Sequence, residues 1–159
     1  MTQLSLFPHD TSTKKSRIML YIDGASRGNP GPASVGCVIK CEDTIMQEHG
    51  YYIGTKTNNQ AEYAALIIGL YFVSDIMHEH DELVIVSDSE LLVKQLNGHY
   101  RVKDATLQRL FSRAQHMLKD INHRIMHVLR AHNSHADALA NKALDNKIAL
   151  PEQLTPCIQ

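Results

Sequence analysis

Two short apolar runs in this chain each end at an aspartate. Residues 18–22 are followed directly by Asp23, and residues 83–86 are followed one residue later by Asp88. Runs of four or five apolar residues are typical of strands buried on both faces of a sheet. Ligand sites in open α/β sheets gather at the ends of such central strands. The chain is therefore expected to build a sheet that carries acidic side chains at the ends of its central strands.

The rest of the sequence contains segments whose apolar patterns are typical of strands and of helices. Residues 35–39 and 44–53 predict two further strands, so the first third reads as an antiparallel meander. The remaining predicted elements, in order, are a helix over 58–75, the strand over 83–86, helices over 89–96 and 105–121, a strand over 124–129 and a helix over 133–147. The first of these helices is apolar nearly all round, which predicts deep burial, and Asn58 or Asn59 is its expected N-cap. Asn133 is the expected N-cap of the last helix. This order of elements implies a mixed α/β sheet with helices on both faces.

The length of 159 residues fits one domain. We expect a mobile N-terminal tail over 1–16, the domain over 17–147 and a loose C-terminal tail over 148–159, marked by Pro151 and Pro156. The sequence shows neither a membrane-length apolar stretch nor a signal peptide. Its three cysteines fit neither a zinc site nor a disulfide scaffold. A soluble, cytoplasmic protein with reduced thiols is expected.

The overall charge gives no sign of a nucleic-acid partner. Sixteen Lys and Arg stand against seventeen Asp and Glu, for a net charge of -1. Proteins that bind phosphate backbones usually carry a clear positive excess. Composition alone therefore argues mildly against such a partner.

Four acids occupy positions where solvated charges are not expected. Besides Asp23 and Asp88 they are Glu62, one turn into an apolar helix, and Asp137, one turn into the last helix. Carboxylates gathered in one place repel each other unless a cation neutralises them, and oxygen ligands favour Mg²⁺, with Mn²⁺ as an alternative. Two such ions about 4 Å apart can activate water and stabilise a leaving oxygen at a phosphodiester. Alternatively, each acid acts alone at a strand end or helix start.

Four ordered stretches, residues 21–31, 57–63, 86–98 and 133–140, resemble ribonuclease HI, and the match extends over 17–147. The resemblance implies the ribonuclease H fold, a five-stranded mixed sheet with helices on both faces. It also implies a metal-dependent endonuclease that hydrolyses the RNA strand of RNA/DNA hybrids and leaves 5'-phosphate and 3'-hydroxyl ends. The family's four metal-binding, catalytic acids, which would hold two Mg²⁺ ions, correspond to Asp23, Glu62, Asp88 and Asp137.

The same resemblance implies contacts to the hybrid. The residues at the family's contact positions are Gly24, Asn29, Asn58, Asn59 and Gln60. Amides can read the 2'-hydroxyl in the wide minor groove, and glycines at 24 and 28 would let the backbone approach the duplex. The alternative is local structure, with Asn29 in a turn and Asn58 as a helix cap.

The chain departs from many bacterial members in two places. It has no Trp, and residues 98–104 are too few for the basic, Trp-rich helix and loop, here called the basic handle, that contacts the DNA strand. Hybrid affinity should then be weaker or depend on scattered charges such as Lys94, Arg101 and Lys103, unless these form only a solvated face. Whether double-stranded RNA is also cleaved is left open.

The loop before Asp137 is also short. Longer members place a mobile histidine in this loop. Arg130, seven residues before Asp137, matches the arginine that replaces this histidine in compact relatives, and it would assist turnover. His132 and His135 compete for the role, or they are surface residues without one.

The segment Gln3-Leu4-Ser5-Leu6-Phe7 resembles the peptide by which bacterial replication proteins bind the sliding clamp. Gln3 would bond at the rim of an apolar groove that Leu4, Leu6 and Phe7 fill. Otherwise these residues pack on the domain or have no role. Clamp binding would deliver a monomeric bacterial or phage enzyme to RNA primers during DNA replication.

Two competing functions are disfavoured. Transposases and integrases of the same fold use a Glu about 35 residues after the second Asp, and that position here is His123. A relative that binds nucleic acid without cleaving it would be favoured by the loss of one of the four acids, and all four are present.

Overall fold

The computed structural model describes residues 15–159, so the clamp-peptide prediction for residues 3–7 lies outside the described residues. The elements are, in order, β1 (Arg17–Ser26), β2 (Gly31–Cys41), β3 (Thr44–Lys56), α1 (Asn58–Val73), β4 (Glu82–Ser87), α2 (Glu90–Leu96), α3 (Ala105–Leu118), β5 (His123–His127) and α4 (Ser134–Asn146). Two 3-10 helices, Arg130–Asn133 and Glu152–Ile158, flank α4.

The five strands form one sheet in the order β3-β2-β1-β4-β5. Strand β2 pairs with β1 and with β3 in antiparallel hairpins. Strand β4 pairs with β1 and with β5 in parallel. The predicted five-stranded mixed sheet is confirmed. Because β1 and β4 are parallel neighbours near the centre, their carboxyl ends meet at the same edge of the sheet.

The helices cover both faces of the sheet, as predicted. Asp23 and Gly36 are paired across β1 and β2, so these two positions face the same side of the sheet, and the next position, Gly24, faces the other side. A Cβ on Gly24 would meet the backbone of Ala61 in α1, and a Cβ on Gly36 would meet the backbone of Ala136 in α4. Hence α1 and α4 lie on opposite faces, and α3 packs against α1.

Helix α1 is the centre of the core, with every residue from 61 to 70 buried. It contacts the sheet, α3 and the second 3-10 helix, which explains why its sequence is apolar nearly all round. The predicted cap at Asn58 or Asn59 is wrong. Thr57 caps α1, since its hydroxyl accepts from the Gln60 N–H at 3.2 Å while Gln60 Oε1 accepts from the Thr57 N–H at 2.9 Å. The spacing Thr-x-x-Gln is the sequence signal of this capping box.

The prediction of a loose C-terminal tail is also wrong. Leu154 and Ile158 are buried in the core, and Arg113 of α3 donates to the carbonyl oxygens of Pro156 and Cys157. Leu154 and Ile158 lie little more than one turn apart in this 3-10 helix, so the short segment can bury both side chains despite its prolines.

Removing this contact should destabilise the domain. We expect Leu154→Ala to lower the free energy of unfolding by roughly 2–5 kcal/mol, because it leaves a cavity in the core. Urea unfolding followed by circular dichroism measures the change. Its neighbour Gln153 is exposed, so Gln153→Ala serves as the control. Equal unfolding midpoints for the two variants would contradict the packing role of this segment.

None of the helices in the described part of the chain is both long enough and apolar enough to span a bilayer.

Candidate active site

The carboxylates of Asp23, Glu62 and Asp88 meet at the shared edge of β1, β4 and α1. Asp23 lies in β1 and Asp88 directly follows β4, and these strands are paired up to Ile22 and Ser87. Glu62 reaches this edge from α1, where its Oε2 accepts from the Gly24 N–H at 3.2 Å. One oxygen from each of the three carboxylates lies within 4.8 Å of the others.

Asp137 lies beside this group in the first turn of α4. Its Oδ1 accepts from Arg130 Nη2 at 3.4 Å and from Asn141 Nδ2 at 3.2 Å. The three acids and Asp137 line one cleft of about 480 Å³. The predicted convergence of four acids therefore takes the form of a close group of three with a fourth at its side.

Burial and mutual repulsion raise the pKa values of Asp23, Glu62 and Asp88. Burial, with the charges of Asp88 and Asp137 adding to it, raises the pKa of Asp23 to about 8, and Arg130 opposes the shift. Burial and the charges of Asp23 and Asp88 hold the pKa of Glu62 well above its usual range. Burial likewise raises the pKa of Asp88, against the opposing charge of Arg130. Full ionisation at neutral pH thus requires added positive charge.

The donor set fits a hard divalent cation. All the converging groups are carboxylate oxygens, the ligands that Mg²⁺ and Mn²⁺ prefer, and neither Cys nor His belongs to the group. A divalent ion would also relieve the repulsion that raises the pKa values of Asp23 and Glu62.

Three of the predicted substrate-contact residues, Gly24, Asn58 and Arg130, line the cleft. Asn29 is exposed in the β1–β2 loop, where its Oδ1 accepts from the Asn58 N–H at 3.1 Å. Asn59 and Gln60 are not among the lining residues, and Gln60 is engaged in the helix cap. The structure thus shows a local role for the Asn29 and Gln60 side chains, and their contact with a hybrid stays a prediction.

The structure explains Gly24 by packing within the protein. A Cβ at this position would lie 2.2 Å from the carbonyl carbon of Ala61, so only glycine lets α1 approach β1 closely enough for Glu62 to reach the acids. Approach of a duplex to this backbone stays a prediction.

Arg130, His132 and His135 occupy different places. The Arg130 side chain is 79% exposed at the cleft and bonded to Asp137. His132 and His135 line a separate cavity of about 170 Å³ beside Tyr21 and Lys40. His135 is also paired with Glu48 at 2.5 Å. Of the three, Arg130 is the residue that reaches the acids.

Six residues that line the cleft were not predicted from the sequence. They are Ala25, Ser26, Arg27, Ser89, Asn141 and Leu144. Asn141 had a usable signal, because a residue four positions after Asp137 lies on the same face of a helix. Arg27 had no local signal, since its partner Asp145 is 118 residues away in the chain.

Comparison with known proteins gives the family. A family model described as reverse transcriptase-like matches residues 21–143. The crystal structure of RNase H1 from the archaeon Halobacterium salinarum superposes with a TM-score of 0.77 at 47% identity, covering 82% of this chain and 98% of that one. The chain belongs to the ribonuclease H family.

Two further relatives show how far this ribonuclease H resembles known members. The curated ribonuclease HI of Halobacterium salinarum is 48% identical over 132 residues, which are 82% of this chain and 65% of that protein. LC11-RNase H1, solved in complex with RNA/DNA hybrid, has a TM-score of 0.77 at 40% identity and covers 81% of this chain and 97% of that one. The chain spans 65% of the first curated relative and 36% of the mycobacterial ones that follow it.

Proposed function

We propose that this ribonuclease H is an endonuclease that hydrolyses the RNA strand of RNA/DNA hybrids, leaving 5'-phosphate and 3'-hydroxyl ends. The observation that carries the proposal is the close group of three carboxylates, from buried Asp23 and Glu62 and half-buried Asp88, with Asp137 beside it. Support comes from the similar proteins named ribonuclease HI and from the LC11-RNase H1 complex with RNA/DNA hybrid.

Asp23, Glu62, Asp88 and Asp137 would hold two Mg²⁺ ions, which Mn²⁺ can replace. When bound, the ions would activate a water and neutralise the charge that develops at a phosphodiester. The sequence charge of -1 would change to about +3 with two divalent ions. The near-neutral composition is thus compatible with a polyanionic substrate.

The chain's own residues hold this acidic group in place. The Gly24 N–H donates to Glu62 and so fixes the direction of that carboxylate. Arg130 and Asn141 both donate to Oδ1 of Asp137. The exposed guanidinium of Arg130 also places a permanent positive charge at the cleft, where it can attract a phosphate group.

Substrate selection would depend on neutral groups at the rim of the cleft. Asn58 lines the cleft and Asn29 is bonded to its backbone, which supports the proposal that both amides read the minor groove of the hybrid. Asn59 and Gln60 follow Asn58 in the first turn of α1 and are proposed as further contacts, although neither lines the cleft. Residues 97–104 contain no helix, and they occupy the position where longer members carry the basic handle. Lys94 is already paired with Glu90 at 2.6 Å, so modest hybrid affinity is expected.

The decisive experiment is cleavage of an end-labelled RNA/DNA hybrid by the purified protein with Mg²⁺ or Mn²⁺. Cleavage within the RNA strand that stops in EDTA is the expected result. An RNA/RNA duplex of the same sequence, assayed in parallel, decides whether double-stranded RNA is also a substrate. Hybrid left intact under all metal conditions would overturn the proposal and favour a domain that only binds nucleic acid.

Arg130 is expected to assist turnover. Arg130→Ala should lower kcat about tenfold, roughly 1.4 kcal/mol in barrier, because it removes the charge beside Asp137. His132→Ala and His135→Ala are the matched controls, since both histidines lie in the other cavity. Steady-state kinetics on the hybrid measure all three variants. Unchanged kcat in Arg130→Ala would contradict an assisting role.

We further propose that residues 3–7 bind a bacterial sliding clamp and that the enzyme acts as a cytoplasmic monomer in DNA replication. Support comes from the sequence match of residues 3–7 to the clamp-binding peptide. The free cysteines Cys37, Cys41 and Cys157 suit a reducing compartment.

The clamp proposal can be tested by titrating purified clamp with the full chain and with a Leu6→Ala, Phe7→Ala variant. Tight binding that the variant loses is expected. Equal binding by both would overturn the proposal, and hybrid cleavage should be the same in both proteins when clamp is absent.

A further inference from the structure

Asn133 is a buried polar residue at the junction between the 3-10 helix and α4. Its exposure is 1%, and its Nδ2 donates to the carbonyl oxygen of Ile22 at 2.8 Å. The bond joins residues 111 positions apart in the chain. A buried amide that reaches across the fold in this way holds two segments at a fixed separation.

The two segments are those that carry the acids. Ile22 is the residue immediately before Asp23 in β1, and Asn133 lies four residues before Asp137 and three after Arg130. One hydrogen bond therefore ties the strand that carries Asp23 to the segment that carries both Arg130 and Asp137.

The side chain does not act as a helix cap, although Asn133 stands at the N-cap position of α4. An asparagine there normally accepts from the helix with its oxygen. Here the Nδ2 is directed to a carbonyl, and within residues 15–159 no donor reaches its Oδ1. The opposite amide orientation would place two oxygens against each other at Ile22. The Asn133 side chain therefore contacts β1 rather than its own helix.

We infer that Asn133 is a positioning residue, which sets the separation between Asp23 and Asp137 and so the geometry of the divalent-ion site. The inference rests on the proposed function. Asn133 is not among the residues that line the cleft, and its side-chain hydrogen bond goes to Ile22 rather than to Asn29 or Asn58, the proposed hybrid contacts. Its loss should impair metal binding and the chemical step more than binding of the hybrid.

Two substitutions test this inference. Asn133→Ala removes the side chain, and Asn133→Leu keeps a branched side chain of similar size without a donor. Titration calorimetry of Mg²⁺ and Mn²⁺ into the metal-free protein, without nucleic acid, should show affinity about tenfold weaker in both variants. On the hybrid, kcat should fall about tenfold while KM stays within about twofold.

Leu154→Ala is the control for a general loss of stability, since Leu154 is buried in the core and does not line the cleft. It should retain the metal affinity of the wild type at temperatures where all the variants are folded. Wild-type metal affinity and kcat in Asn133→Leu, or equal weakening in Leu154→Ala, would overturn the inference. If the wild type binds the ions but leaves hybrid intact, the proposed function fails and the metal titration still decides the role of Asn133.

Discussion

Asp23→Asn is expected to lower kcat for hybrid cleavage by at least about a thousandfold, which corresponds to roughly 4 kcal/mol in barrier. Asp23 is the central acid of the site, since burial and then the charges of Asp88 and Asp137 raise its pKa, and its own charge raises that of Glu62. The amide keeps the size of the carboxylate and removes its charge. The change therefore tests the metal-binding chemistry with little disturbance of packing.

The control is Asp75→Asn, which changes the same atoms on an exposed residue just after α1. It should cleave the hybrid at the wild-type rate. Single-turnover cleavage at saturating Mg²⁺ measures both variants, with circular dichroism to verify folding. Substantial cleavage by Asp23→Asn, or by the wild type in EDTA, would contradict the assignment of the acids.

The metal-free protein should become less stable as the pH rises, in contrast to most acidic sites. Burial and neighbouring charges raise the pKa of Asp23 from 3.8 to about 8 in the folded state. Between these values the folded protein holds a proton that the unfolded chain has released, so rising pH favours unfolding. Glu62 and Asp88 shift in the same direction. Unfolding free energy in EDTA should fall on the order of 3 kcal/mol from pH 5 to pH 8.

Urea unfolding in EDTA at several pH values measures this effect. Asp23→Asn should abolish much of the pH dependence and be more stable than the wild type at pH 8, whereas Asp75→Asn should follow the wild type. Added Mg²⁺ should restore the stability of the wild type at pH 8, because a ligand that binds only the folded state stabilises it. A wild-type stability that rises from pH 5 to pH 8 in EDTA would contradict the raised pKa of Asp23.

Local patterns in the sequence predicted most of the elements and the acids. The apolar runs before Asp23 and Asp88 are typical of buried parallel strands, and both became central strands with their ends at one edge. Helix periodicity placed Glu62 and Asp137 one turn into α1 and α4. These features are local, because strand and helix geometry fix the direction of a side chain within a few residues.

Other features could not be read locally. The C-terminal prolines suggested a loose tail, but Leu154 and Ile158 are buried against the core. Asn133 stands at a typical cap position, yet it bonds to Ile22. In each case a partner far away in the chain decided the outcome. The local secondary-structure preference of a residue contributes less free energy than the burial of an apolar side chain or the pairing of a buried polar group.

The sequence by itself determined a mixed α/β sheet with acids at the ends of its central strands. Its four ordered stretches, through their resemblance to ribonuclease HI, predicted the ribonuclease H fold and the four candidate metal-binding acids. Only the tertiary structure decided that Asp23, Glu62 and Asp88 form the close group, with Asp137 beside them and Arg130 rather than the histidines at the cleft. Repulsion and desolvation depend on distances between side chains from separate elements, and packing of the whole domain sets those distances.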